Sequence, residues 1–103
     1  SSGVTIFEDR LPVMTLVPAL LERGAGTGGG RRNLAACAPM LEAHEGLDPF
    51  TLPILADPQT SGGLLVALPE EAVEPYRERL ARAGGFGWRI GTFEGNPGII
   101  RIR

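Results

Sequence analysis

The chain has 103 residues, 43% of them hydrophobic, and 12 acidic against 10 basic side chains give a formal net charge of -2. All ten cations are arginine, which excludes a lysine-dependent phosphate loop and Schiff-base chemistry. The near-neutral charge argues against a nucleic-acid partner, and no apolar stretch is long enough to span a membrane. The single cysteine favours a reducing, cytoplasmic setting. One domain over residues 1–103 is the expected organisation.

The first half of the chain predicts one strand, two helices and a glycine-dense loop between the helices. Residues 3–7 alternate in period two, which is typical of a short strand. Residues 16–23 predict a helix that Gly24 ends. Residues 24–30 form the loop, and helical spacing resumes over residues 31–40.

The middle of the chain predicts a connection, a short helix and a buried strand. Residues 43–48 are a polar connection, and Asp48-Pro49 predicts the start of a helix of about one turn. Residues 64–68 are apolar on both faces of an extended chain, which predicts a strand at the centre of a sheet.

The C-terminal third predicts a helix followed by two strands. The helix begins after Pro69 and ends at Gly84-Gly85. Residues 88–94 and 99–103 predict strands that the turn residues between them join as a hairpin. This order of elements predicts an α+β fold, with a mixed or antiparallel sheet and helices mainly on one of its faces.

The glycine-dense loop leads into a helix and is the first candidate ligand site. Glycines allow several backbone N–H groups to point the same way, and a helix start adds partial positive charge. Arginines add charge-assisted hydrogen bonds to phosphate oxygens. On composition alone, a flexible connection with solvated arginines is the commoner interpretation. The candidate phosphate-binding residues are Gly28, Gly29, Gly30, Arg32 and Asn33.

Residues 57–65, with the sequence Asp-Pro-Gln-Thr-Ser-Gly-Gly-Leu-Leu, form the second candidate site. The hydroxyls and N–H groups of its middle part suit an anion, and its two glycines allow a backbone or ligand to approach closely. A tight turn that satisfies only local backbone groups is the alternative. The candidate ligand-binding residues are Thr60, Ser61, Gly62 and Gly63, and the structural residues are Asp57, Pro58 and Gln59.

The remaining chemistry-bearing residues give no catalytic or metal-binding constellation. His44 lies alone in a polar connection, where a surface role is the usual one. Cys37 lies on an apolar helix stripe and is typical of a small core residue.

Residues 57–65 closely resemble the C-terminal signature of the selenophosphate synthetases (selenide, water dikinases). Residues 66–70 fit the strand-to-helix step that follows it in this family, and residues 28–33 resemble the family's Pro-Gly-Gly-Thr-x-x-Asn segment. The family has a threonine where this chain has Gly30, which weakens the transfer of a threonine contact. The resemblance covers nearly the whole chain.

The resemblance implies an N-terminally truncated C-terminal domain of the aminoimidazole ribonucleotide synthetase-like superfamily. The full enzyme converts ATP, selenide and water to selenophosphate, phosphate and AMP, using magnesium. The missing N-terminal nucleotide-binding domain, with its catalytic residues and magnesium ligands, is the implied partner, and a homodimer is implied for the full-length enzyme. The domain would support the active site, would be inactive alone, and would bind no cofactor tightly.

Two alternatives remain open at this point. The first is a domain of a related ATP-dependent synthetase or kinase that acts on another substrate, which the Gly30 difference and the adjacent Arg31 and Arg32 favour. A stand-alone, non-enzymatic binding module is the other alternative, because the sequence contains no complete catalytic constellation.

Overall fold

A computed structural model describes residues 2–103, which form two compact units. The first unit runs to Gln59 and resumes at Ile90, and the second unit is Thr60–Arg89. The first unit contains strands β1 (Gly3–Ile6), β2 (Leu41–Ala43), β3 (Gly91–Glu94) and β4 (Ile100–Ile102), and helices α1 (Val17–Glu22), α2 (Gly28–Cys37) and α3 (Thr51–Ala56). Short 3-10 helices span Glu8–Arg10 and Ala38–Met40, and the second unit contains helix α4 (Glu70–Arg82).

The four strands form one mixed sheet in the order β2-β4-β1-β3. Strand β1 pairs parallel with β4 and antiparallel with β3, while β2 pairs parallel with β4. The predicted α+β class with a mixed sheet is therefore confirmed. Within residues 2–103, no helix is long and apolar enough to cross a membrane.

Polar side chains connect all four strands on one face of this sheet. The Thr5 hydroxyl, on a residue only 1% exposed, donates to Glu94, and Arg101 donates to both Glu94 and Glu42. Ile102, on the opposite face from its neighbour Arg101, is 1% exposed. The sheet thus combines apolar burial on one face with a hydrogen-bonded polar row on the other.

The predicted hairpin between the last two strands is wrong. Strands β3 and β4 do run in opposite directions, but β1 lies between them and pairs with both. The turn residues 94–98 indicated a reversal of the chain correctly, and Gly98 adopts a positive φ of 77° there. A local turn signal cannot show that a distant strand, β1, fills the space between the two arms.

The predicted central strand over residues 64–68 is also absent from the sheet. These residues belong to no strand of the described chain, and Leu64 and Leu65 are 93% and 83% exposed. The apolar pattern favours a strand with two covered faces, and a local pattern cannot show whether such a strand forms.

Three local boundaries differ from the sequence prediction. The glycines predicted as loop, residues 28–30, form the first turn of α2 because Thr27 caps that helix. Strand β2 precedes the polar connection and was not predicted, since three residues give too short a pattern. The helix predicted to start at Asp48-Pro49 begins at Thr51, after a turn in which Asp48 accepts from the Phe50 N–H at 2.8 Å.

The other predicted elements are confirmed, with their boundaries close to those expected. Strand β1 and helices α1 and α4 lie where the patterns placed them. Both predicted glycine stops are present: Gly24 and Gly84 have positive φ values of 81° and 79° after α1 and α4. At the end of α4, the Gly85 N–H bonds to the Leu80 carbonyl at 2.9 Å, which satisfies an otherwise unpaired helix-end acceptor.

Candidate functional site

The N-terminus of α2 presents free backbone donors within a glycine-rich turn. Thr27 adopts an extended conformation before the helix, and its hydroxyl oxygen accepts from the Gly30 N–H at 2.9 Å. The N–H groups of Gly28 and Gly29 have no hydrogen-bond acceptor among residues 2–103. Two donors at the positive end of the helix are therefore available to an anion.

Two arginine side chains fold back over the same turn. A Cβ atom on Gly28 would lie 3.4 Å from Nη1 of Arg32 and 3.6 Å from Nη2 of Arg31, so these guanidinium groups lie close above the helix start. No acidic residue occupies the first turn, and neither arginine forms an ion pair within the described part of the chain. Positive charge is thus concentrated where the helix end is already electropositive.

The start of the second motif packs against this turn. The Thr27 hydroxyl, besides capping α2, donates to the Asp57 carboxylate at 3.1 Å. A Cβ atom on Gly29 would lie only 2.7 Å from Cγ of Pro58. The two sequence motifs, 30 residues apart, therefore meet at the α2–α3 contact, and Gly29 is required there because a side chain would overlap the proline ring.

Asn33 connects the same two helices. Its side-chain amide Nδ2 donates to the Ala56 carbonyl at 2.9 Å, at the C-terminal end of α3. This bond satisfies one of the last carbonyls of α3, which lack an intrahelical partner. Asn33 thus sets the position of the glycine turn relative to Asp57 and Pro58.

The remaining residues of the second motif show fewer interactions. Gln59 ends the first unit, while Thr60, Ser61, Gly62 and Gly63 begin the second and are exposed. A Cβ atom on Gly63 would meet no atom within 4 Å. The expected close approach of a backbone or a ligand at Gly62 and Gly63 stays a prediction.

A second polar cluster joins Glu8 to the loop before α3. The Glu8 carboxylate accepts from the Thr51 hydroxyl at 2.8 Å and from the Asp48 N–H at 3.2 Å, and it lies 3.4 Å from Nε2 of His44. The hydrogen bond from Thr51 is the main reason that the pKa of Glu8 is held below its ordinary value. His44 also accepts from the Gly46 N–H, so this cluster orders a loop.

Metal-binding groups are sparse in the described chain. Residues 2–103 contain no group of three or more His, Cys, Asp or Glu side chains able to hold a metal ion. Cys37 is a half-buried free thiol in the last turn of α2.

The sequence places Thr27 and both arginines in the candidate loop over residues 27–33, but it does not predict what Thr27 does there. The structure shows that Thr27 caps α2, a role for which a threonine before a helix start is a recognisable signal. Arg31 projects over the turn together with Arg32, which their adjacency alone did not show.

The fold and the candidate site together define a class of protein domain. The chain is an α+β domain in which a glycine-rich helix N-terminus, capped by a threonine and flanked by two arginines, is held against an Asp-Pro turn. No family model matches the sequence. Curated relatives, however, do match it over most of its length.

Three of these relatives are named selenide, water dikinase. The protein from Myxococcus xanthus (strain DK1622) is 38% identical over 96 residues, which is 92% of this chain and 27% of the relative. The protein from Carboxydothermus hydrogenoformans is 40% identical over 102 residues, 98% of this chain and 29% of the relative. The protein from Burkholderia ambifaria (strain MC40-6) is 45% identical over 76 residues. The chain belongs to the selenide, water dikinase family, and it spans less than a third of the length of these relatives.

Proposed function

We propose that this chain is the C-terminal domain of a selenophosphate synthetase, the enzyme that converts ATP, selenide and water to selenophosphate, phosphate and AMP. The match to named selenide, water dikinases over 92% and 98% of the chain is the observation that carries the proposal. The relatives are more than three times as long, which leaves room for a separate nucleotide-binding domain. The domain alone is expected to be inactive.

The α2 N-terminus is the proposed phosphate contact. The N–H groups of Gly28 and Gly29, which have no acceptor among residues 2–103, lie close to the guanidinium groups of Arg31 and Arg32. This donor set suits the oxygens of a nucleotide phosphate or of the phosphate product. Preorganised donors of this kind position a charged group without reorganising during the reaction.

The second motif is proposed to act in two parts. Asp57 and Pro58 position the glycine turn, through the hydroxyl of Thr27 and the close contact at Gly29. Thr60, Ser61, Gly62 and Gly63 are proposed to contact phosphate through hydroxyl and N–H groups in the assembled enzyme. Gln59 links the two parts.

Magnesium does not fit residues 2–103. The described residues include no cluster of three potential ligands, so the ion used with ATP is proposed to be held by the nucleotide-binding domain. ATP supplies the phosphoryl group, while the residues named above orient and neutralise its oxygens.

We further propose that the full-length enzyme is a cytoplasmic homodimer, in which this domain and the nucleotide-binding domain enclose one active site.

Titration of the chain with ATP or inorganic phosphate, followed by amide NMR, tests the phosphate contact. The Gly28 and Gly29 amides are expected to shift. Replacing both arginines (Arg31→Ala with Arg32→Ala) is expected to weaken binding by roughly 10-fold or more, since a charge-assisted hydrogen bond contributes about 1.5–3 kcal/mol.

Arg23→Ala provides the matched control, because Arg23 is an exposed arginine of the same unit that lies after α1. This variant is expected to bind like the parent chain. Unchanged Gly28 and Gly29 resonances at millimolar phosphate, or equal weakening by both sets of variants, would rule out the proposed contact.

A further inference from the structure

The Glu8 carboxylate joins the sheet to the first residue of α3. The Glu8 N–H donates to the Arg103 carbonyl at 2.6 Å, and Arg103 directly follows β4. The Glu8 side chain accepts from the Thr51 hydroxyl at 2.8 Å and from the Asp48 N–H at 3.2 Å. Thr51 begins α3 and is only 6% exposed. Glu8 therefore holds the start of α3 at the edge of the sheet.

The other end of α3 carries the contacts that set the place of the glycine turn. Asn33 of α2 donates to the carbonyl of Ala56, the last residue of α3, at 2.9 Å. The next residue, Asp57, accepts from the hydroxyl of Thr27, which caps α2. All of these residues belong to the first compact unit. The six residues of α3 rise about 9 Å, so a short helix separates the Glu8 contact from the start of α2.

Helix α3 depends on its contacts for its position. It has six residues, whereas isolated helices shorter than about 12–15 residues are marginal in water. Its N-cap residue, Phe50, provides no side-chain cap. The hydrogen bond from Thr51 is the main cause that lowers the pKa of Glu8, so the acceptor is an ionised carboxylate and the bond is charge-assisted. Loss of this bond is therefore expected to let the whole of α3 move.

We propose that Glu8 is a positioning residue for the start of α2: it holds one end of α3, and the other end of α3 sets the place of the glycine turn. Glu8 acts through Thr51 and α3 rather than by touching a phosphate. The inference rests on the proposed function, because the glycine turn is the proposed phosphate contact.

Two chemically identical substitutions test the inference. Thr51→Val removes the hydroxyl that bonds to Glu8, and Thr5→Val removes the hydroxyl that bonds to Glu94 in the sheet of the same unit. Each variant loses one bond between a threonine and a glutamate, so both are expected to be less stable than the parent chain in urea. Thr5→Val is the matched control, because Thr5 takes no part in the contacts of α3 described above.

Amide NMR of the ligand-free variants reports the position of α3, and titration with inorganic phosphate reports the consequence for binding. Only Thr51→Val is expected to move the resonances of the Asn33 side-chain amide and the Gly30 amide. It is also expected to weaken phosphate binding about 5-fold or more, because a misplacement of about 1 Å at a positioned site costs up to about 100-fold. Thr5→Val is expected to bind phosphate like the parent chain.

Two further variants keep the test decisive if Thr51→Val fails to fold. Thr51→Ser retains the hydroxyl and is expected to restore both the resonances and the phosphate affinity of the parent chain. Glu8→Gln keeps the size of the side chain but removes its charge, and is expected to change both in the same direction as Thr51→Val.

Unchanged Asn33 and Gly30 resonances in Thr51→Val and Glu8→Gln would overturn the inference. Equal weakening of phosphate binding by Thr51→Val and Thr5→Val would also overturn it, since a general loss of stability would then explain the effect. Moved resonances with the phosphate affinity of the parent chain would overturn it as well. If the resonances move only in the variants of Glu8 and Thr51 while the parent chain binds no phosphate, the positioning role is supported and only the proposed phosphate contact is refuted.

Discussion

The close contact between Gly29 and Pro58 makes the packing of the two motifs directly testable. Gly29→Ala places a Cβ atom 2.7 Å from Cγ of Pro58, at least about 0.7 Å closer than an ordinary contact. The neighbour is a proline ring, which cannot rotate away as the end of a flexible side chain can. Helix α2 or the Asp57-Pro58 turn must therefore move to accommodate the new methyl group.

The expected cost follows from two opposing effects. Overpacking of this kind destabilises a protein by about 1–3 kcal/mol. Replacing glycine by alanine lowers the entropy of the unfolded chain and stabilises the fold by about 0.4–1 kcal/mol. The free energy of unfolding of Gly29→Ala is therefore expected to fall by roughly 0.5–2 kcal/mol.

Gly28→Ala is the matched control, one residue earlier in the same helical turn. Its Cβ atom meets only the mobile ends of Arg32, at 3.4 Å, and Arg31, at 3.6 Å, so this variant is expected to be as stable as the parent chain or up to about 1 kcal/mol more stable. Urea unfolding of the three proteins measures the difference. The packing argument is refuted if Gly29→Ala is as stable as Gly28→Ala, or if adding Pro58→Ala fails to relieve the destabilisation of Gly29→Ala.

Further predictions concern the cap of α2 and the polar row of the sheet. Thr27→Val removes the acceptor for the Gly30 N–H and should lower the free energy of unfolding by about 1–2 kcal/mol, whereas Thr27→Ser should retain most of it in the same urea titration. The pKa of Glu94 is held below its ordinary value of 4.5, chiefly by the hydrogen bond from Thr5, so the stability that this carboxylate contributes is present above pH 4.5 and is lost as the pH falls through the lowered value. Thr5→Val should therefore reduce the loss of stability on acidification from pH 7 to 3, and parallel pH profiles for the parent and the variant would contradict this assignment.

Local signals in the sequence were enough to predict much of the fold. Alternation placed β1, and the glycines after α1 and α4 marked both helix ends because a positive φ is needed there. These features depend on a few neighbouring residues, which a sequence displays directly.

The errors arose where distant residues decide the structure. Strand β1 lies between β3 and β4, although the turn between those two strands predicts that they pair with each other. The apolar residues 64–68 were assigned to the centre of a sheet, but residues 2–103 contain no strand that pairs with them. For β3 and β4 the patterns predict the strands correctly but not the strands that pair with them, whereas residues 64–68 form no strand within residues 2–103.

The candidate site was predictable in its composition but not in its arrangement. The glycines and Arg32 carry a phosphate-binding signal by residue type alone. That Asn33 bonds to Ala56, and that Gly29 lies against Pro58, follows only from the packing of α2 on α3. The residues in such contacts are more than 20 positions apart in the sequence, so no local pattern predicts them.

Selenide-dependent ATP turnover, measured for the 103-residue chain and for the longer polypeptide proposed to contain it, tests the central claim most directly. We expect AMP and phosphate to be released by the longer polypeptide and none by the chain alone, since the chain holds no magnesium cluster and no complete catalytic set within its described residues. Turnover by the isolated chain, or a longer polypeptide that leaves ATP intact in the presence of selenide and magnesium, would contradict the account.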